Sequence, residues 1–264
     1  MKYIRGFLMA WGMFCWIPCP YKKWDDKARL AQVAMFPLVG TMIGAVTCFC
    51  WWIIADVLFL SPILSGSILT GLYFLLTGFI HLDGFMDCAD AIMPRHPDLE
   101  QRLRILKDPH SGAFALISLV LMILIFAGAF ISVCETGFDI YKACVFIVIL
   151  TSSRTASALT VILSTPMGGS QYAGNEGKAS DVLPALIILV LVVGTCEFMV
   201  SGLSVMTFIF EPFTNFAALA VLITGILAGK YDIQKLGGMN GDIAGHLLVL
   251  SELAGMLVMA IEFA

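Results

Sequence analysis

Seven apolar runs of spanning length recur along this chain, at about 35–60, 63–82, 112–133, 140–163, 183–203, 205–228 and 241–261. A hydrocarbon core about 30 Å thick is crossed by about 20 apolar residues in a helix. A backbone deprived of water there must satisfy its polar groups internally. Runs of this number and length dictate an all-α, polytopic membrane helix bundle, read as one integral membrane domain over residues 1–264. The break near Ser201–Ser204 leaves six or seven spans open. Composition agrees: 59% of the residues are hydrophobic and 13% charged, against roughly 45–50% and about 25% in soluble domains. No basic tail or aromatic-basic interleaving points to nucleic acid.

The N-terminal stretch MKYIRGFLMAWGMFCWIPCP starts like a signal peptide but has no small-residue cleavage site, and its apolar part is short for a span. It reads as a retained interfacial or re-entrant helix. Leu99, Leu103 and Leu106 recur at i, i+4, i+7 in the longest polar insert, Asp83 to Ser111, which gives a short amphipathic cytoplasmic helix with a basic outer face. The eight cysteines form no CxxC pair and read as small hydrophobes, not a disulfide framework.

The positive-inside rule fixes the orientation. With 21–34 in the cytoplasm, seven alternating spans put 84–111, 164–182 and 229–240 on that side too. Every Lys and Arg outside the spans except Lys142 then faces the cytoplasm. The same side gathers the polar clusters.

The most informative cluster is HLDGFMDCADA, His81 to Ala91. Asp83, Asp87 and Asp90 at i, i+4, i+7 share one helical face, where three carboxylates repel one another. A solvated acidic edge would not require that spacing. A divalent cation resolves the repulsion, and hard oxygen donors favour Mg²⁺ or Mn²⁺ over zinc. His81 lies off this stripe, as a structural or a substrate-contacting residue. Lys107 and Asp108 open KDPHSGAFA, and Lys107 with Arg102 and Arg104 forms a basic rim suited to phosphate oxygens. The loop MGGSQYAGNEGKAS, Met167 to Ser180, is either flexible or a backbone phosphate cradle.

Arg154 stands deep within a span, at a cost of about 2.5–3.5 kcal/mol on the insertion scale, and must be paired with a carboxylate or a phosphate. In GGMNGDIAGHLLVLSELAG, Asn240 and Asp242 begin the last span, with His246 and Glu252 following. They make a second acidic patch, able to complete a metal site or supply a general base.

In this order, HLDGFMDCADA, KDPHSGAFA, the SR pair and GGMNGDIAGHLLVLSELA resemble the cobalamin synthase family, over nearly the whole chain. The resemblance implies adenosylcobinamide-GDP ribazoletransferase activity in a bacterial cytoplasmic membrane. The implied reaction is Mg²⁺-dependent attack by α-ribazole or its 5′-phosphate on adenosylcobinamide-GDP, with loss of GMP. It also implies association with other late cobalamin-pathway enzymes. Asp83, Asp87 and Asp90 match the family's acidic motif, and Lys107, Asp108, Arg154, Asp242 and Glu252 match its other polar positions. On that basis we expect Asp83, Asp87 and Asp90 to bind metal and Asp83, Asp87, Asp242 and Glu252 to carry the catalytic chemistry, with Lys107, Arg154, Arg102, His81, Asp108 and Asn240 in contact with substrate. Arg154, Asp242 and Glu252 are expected opposite the aspartates as the second wall of a metal–diphosphate pocket. The chain departs from the family pattern at His110, at Asn240 and in the loop from Met167 to Gly169. Two other readings compete. The CDP-alcohol phosphotransferase pattern D-x-x-D-G-x-x-A-R fails after Asp90, where Ala91 follows. A transporter or channel would place acids along a mid-membrane path, often within paired repeats.

Overall fold

The computed structural model describes residues 1–21, 23–172, 177–201 and 213–263, and among these no strand forms. The chain runs through α1 (Lys2–Phe14), α2 (Arg29–Ala34), α3 (Phe36–Trp52), α4 (Pro62–Leu76), α5 (Ile80–Ile92) and α6 (Leu99–Leu106). It continues through α7 (Ala113–Glu135), α8 (Ile140–Leu163), α9 (Leu183–Ser201), α10 (Phe213–Leu236) and α11 (Gly241–Phe263). Among the described residues, six helical stretches are long and apolar enough to cross a membrane, and α4 with α5 makes a seventh if that bent pair counts as one span. The expected run 205–228 lies partly in residues 202–212, outside the described part.

The second expected span, 63–82, is not one helix. α4 holds 15 residues, about 22 Å at 1.5 Å per residue, and α5 then leaves at 89°. Gly78 and Phe79 adopt φ of 63° and 60° at the corner. Glycine takes that conformation freely, whereas a bulky residue such as Phe79 takes it only where the surroundings hold it. The bend lays the aspartate helix across the end of the bundle.

α8 is the centre: 89% of its spanning stretch is buried. Lipid tails are as apolar as a leucine side chain, so helices associate in a membrane through close packing of small residues. Ser152, Ser153, Thr155, Ala156 and Ser157 are all buried on α8. At Gly225 an added Cβ would lie 2.8 Å from Ala156 Cβ, so α10 seats directly on this small-residue surface. In contrast, Leu116, Ile117, Val120, Leu121 and Leu124 of α7 are exposed, as a lipid-facing stripe must be.

α1 is too short to span and packs on α2 and α3. Its exit is pinned where the Trp16 N–H donates to the Leu76 carbonyl at the end of α4 (2.8 Å). α6 forms as its leucine spacing requires, and its outer face carries an Arg104–Glu100 ion pair at 2.6 Å. All eight cysteines are free.

One end of the bundle collects the polar segments. Arg29 donates to the Gln171 carbonyl at 2.5 Å, and in a short parallel bridge between Pro166 and Met239 the Met167 N–H donates to the Met239 carbonyl and the Met239 N–H to the Thr165 carbonyl, both at 2.9 Å. The segments 23–34, 164–172 and 237–242 therefore meet beside α5. Lys142 lies at the other end of α11, its ammonium 5.5 Å from the Phe263 ring, about 32 Å of helix from Asp242.

Candidate active site

The site is built on the crossing of α5 and α11. A Cβ at Gly84 would lie 2.8 Å from Asp242 Cα, and one at Gly245 would lie 3.1 Å from the His81 carbonyl oxygen. The absence of a Cβ at these two glycines allows this approach, which brings the first turn of α11 against α5 one position from Asp83. Asp83 is exposed, and Asp87 and Asp242 are half-buried. The charges of Asp83, Asp242 and Asp90 all act on Asp87.

Asn240 sets the position of Asp242. Its side-chain oxygen accepts from the Ile243 N–H (3.0 Å), capping α11, while its amide donates to Asp242 Oδ2 (2.7 Å). Asp83, Asn240 and Asp242 border a cavity of about 300 Å³ that is also walled by His81 and Tyr172. The loop after α8 reaches this cavity with Ser170, Gln171 and Tyr172. The remainder of the expected phosphate cradle includes residues 173–176, outside the described part.

Asp90 is placed differently from its stripe partners. Its two oxygens accept from the Gly112 N–H at 2.5 Å and the Ala115 N–H at 2.9 Å. It therefore satisfies free N–H groups at the start of α7. The expected third metal ligand is tied to a helix end, and among the described residues no three His, Cys, Asp or Glu side chains gather closely enough to hold a metal ion by themselves. Asp90→Ala should cost about 1–2 kcal/mol, the usual loss for a helix cap. It should lower Tm in detergent, whereas Asp83→Ala, which removes an exposed carboxylate, leaves Tm unchanged.

Arg154 and Glu252 do meet, but as a closed pair beneath the cavity. They are 0% and 2% exposed, and form an ion pair. Ser153 donates to Glu252 Oε1 at 2.9 Å, and Tyr73 donates its hydroxyl hydrogen to Oε2. The Arg154 guanidinium carbon lies 5.9 Å from the ring centre of Phe36, a residue of the cavity wall. Glu252 is ten residues beyond Asp242, about 15 Å along the helix. Of the expected opposite wall, Asp242 lines the cavity and Arg154 and Glu252 do not.

Lys107 and Asp108 are exposed between α6 and α7, and Arg102 is half-buried; none of the three lines the cavity. The backbone N–H and the ring of His110 hold the Asp108 carboxyl below its ordinary range. A pair that sequence reasoning missed is Asp232 with His246, joined at 2.7 Å between α10 and α11, with Asp232 fully buried. The sequence put Asp232 in the polar segment 229–240, where an aspartate needs no partner; it is buried because α10 runs on to Leu236 against α11.

The chain matches the family model described as cobalamin-5-phosphate synthase over residues 6–260. It is 35% identical to the adenosylcobinamide-GDP ribazoletransferase of Clostridium perfringens (strain 13 / Type A), covering 98% of each chain. It is 33% identical to the protein of that name from Lachnoclostridium phytofermentans, over 99% of this chain and 96% of the relative. With the Brevibacillus brevis protein of that name the identity is 28%, over 97% and 98%. No solved structure matches the chain.

Proposed function

The chain belongs to the cobalamin-5-phosphate synthase family, and from that premise we propose that it joins α-ribazole, or α-ribazole 5′-phosphate, to adenosylcobinamide-GDP. The acceptor hydroxyl oxygen bonds to the cobinamide-linked phosphorus. The bond from that phosphorus to GMP breaks, GMP takes the electron pair, and the hydroxyl proton passes to a carboxylate. Products are GMP and adenosylcobalamin or its 5′-phosphate. The observation that carries this reading is the close glycine-mediated crossing of α5 and α11, with Asp83 and Asp242 lining one cavity and the charges of both acting on Asp87.

The donor set fits Mg²⁺ or Mn²⁺. Mg²⁺ commonly takes one or two carboxylates together with substrate phosphates and keeps several waters, so it needs no all-protein cage. Asp83 and Asp87 would hold it, with Asp90 bracing their helix against α7. Bound there, the cation would neutralise diphosphate oxygens and stabilise the departing GMP. Asp242, oriented by Asn240, is assigned to the acceptor proton. Lys107 and Arg102 are assigned to the outer phosphate charge, with Asp108 fixing the loop they border. Arg154 and Glu252 are assigned to holding α8 and α11 in register.

The chain is a multi-pass membrane protein. The Lys and Arg bias favours a bacterial cytoplasmic membrane with the site facing the cytoplasm, where the other late enzymes of the pathway would be its neighbours. The transporter reading gains no support from the two most buried carboxylates among the described residues, Glu252 and Asp232, which are bound by Arg154 and His246. Metal removal tests the proposal. Protein in liposomes with both substrates should release GMP with Mg²⁺ or Mn²⁺, stop on chelation and recover on re-addition. Undiminished release in chelator would remove the cation from the account.

A further inference from the structure

Three rings from three separate elements meet on one side of the 300 Å³ cavity. Phe14 at the end of α1 and Phe36 at the start of α3 lie 4.6 Å apart, and the His81 ring of α5 stands 5.7 Å from the first and 5.8 Å from the second. His81 is only 7% exposed. Its Nε2 has no hydrogen-bond partner among the described residues, and a buried polar atom left so costs about 1–3 kcal/mol. Polar groups line other parts of the cavity, among them Asp83, Gln171, Asn240 and Asp242. An aromatic corner with an unmet polar atom, beside polar walls, suits a flat heteroaromatic base carrying a sugar.

A second recess of about 670 Å³ opens between residues 12–19 and the Thr77–Ile80 corner. It shares Met13, Ile80 and Asp83 with the first. Asp83 therefore borders both spaces, and only the larger and more open one leaves room for a bulky macrocyclic nucleotide.

We propose that the smaller cavity is the acceptor subsite. The nucleoside enters base first, the base packs against Phe14 and Phe36, and His81 Nε2–H donates to its free ring nitrogen. The ribose then lies toward Asp242, and the donor's diphosphate arrives from the larger recess on the other side of Asp83. This assignment rests on the transferase reading and makes His81 a specificity-determining residue for one substrate alone.

The test uses full-length protein in nanodiscs, with KM measured separately for α-ribazole and adenosylcobinamide-GDP, and with Kd for α-ribazole measured by equilibrium dialysis without donor. His81→Phe keeps a ring and removes the hydrogen bond; Ala244→Leu narrows the cavity from a wall position outside the proposed chemistry. Each should raise KM and Kd for α-ribazole about tenfold or more, with the donor KM unchanged within about twofold. His81→Gln, which restores a donor group, should recover part of the His81→Phe loss. On the wild type, free benzimidazole should inhibit competitively against α-ribazole and not against the donor. Unchanged α-ribazole constants in folded variants, a rise confined to the donor KM, or benzimidazole competing with the donor would each overturn the assignment. A wild type that binds α-ribazole in the cavity yet releases no GMP would instead defeat the transferase reading and leave the subsite standing.

Discussion

Asp87→Asn should lower the rate of GMP release roughly 100- to 1,000-fold, about 3–4 kcal/mol, the size of loss seen when one group acting on transition-state charge is removed. The same variant should be at least as heat-stable as the wild type. Asp87 is half-buried and acted on by the charges of Asp83, Asp242 and Asp90; like charges in that setting oppose folding, and the neutral amide relieves them. Loss of activity with retained or raised Tm is the signature of a residue kept for chemistry at the expense of stability. Initial rates and thermal unfolding on one preparation in detergent decide it. Activity within a few-fold of wild type, or a lower Tm, would make Asp87 structural.

Arg154 and Glu252 should behave in the opposite way. Arg154→Met leaves Glu252 as an uncompensated charge that is 2% exposed, a change that costs about 3–5 kcal/mol when a buried pair is broken from one side. The double variant Arg154→Met with Glu252→Leu removes both charges, and should regain most of that loss, since apolar replacements of buried pairs are often neutral or better. Tyr73 and Ser153 would lose an acceptor, so recovery should stop short of full stability. The folded double variant should retain substantial transferase activity and a donor KM near that of the wild type. A stable but inactive double variant with a donor KM raised at least about tenfold would return Arg154 to the diphosphate.

The bundle was legible because long apolar runs leave a membrane-embedded backbone no alternative to helix. The amphipathic helix from Leu99 to Leu106 was legible from its leucine spacing alone. The corner at Thr77–Phe79 was not, since it falls inside an apolar run and its one local sign, Gly78, is common in membrane helices. The single-face spacing of Asp83, Asp87 and Asp90 was read correctly as helical, and all three lie in α5. The separate task of Asp90 depends on the α7 N-terminus, which folding brings from 22 residues away. Arg154 announced its need for a partner through the cost of burying it, yet the choice of Glu252 over Asp242 is a matter of depth along α11. Phe14 on the cavity wall had no signal at all, because a short N-terminal helix gives no hint of which helix ends it will cover.

The most direct measurement is acceptor-dependent, stoichiometric product formation. Protein reconstituted in liposomes with Mg²⁺ and adenosylcobinamide-GDP is mixed with α-ribazole, and GMP and corrinoid product are counted together by chromatography and mass. One GMP is expected for each corrinoid that gains the ribazole mass, with no GMP before the acceptor is added. GMP release without acceptor, or acceptor consumed with no corrinoid of the joined mass, would contradict it.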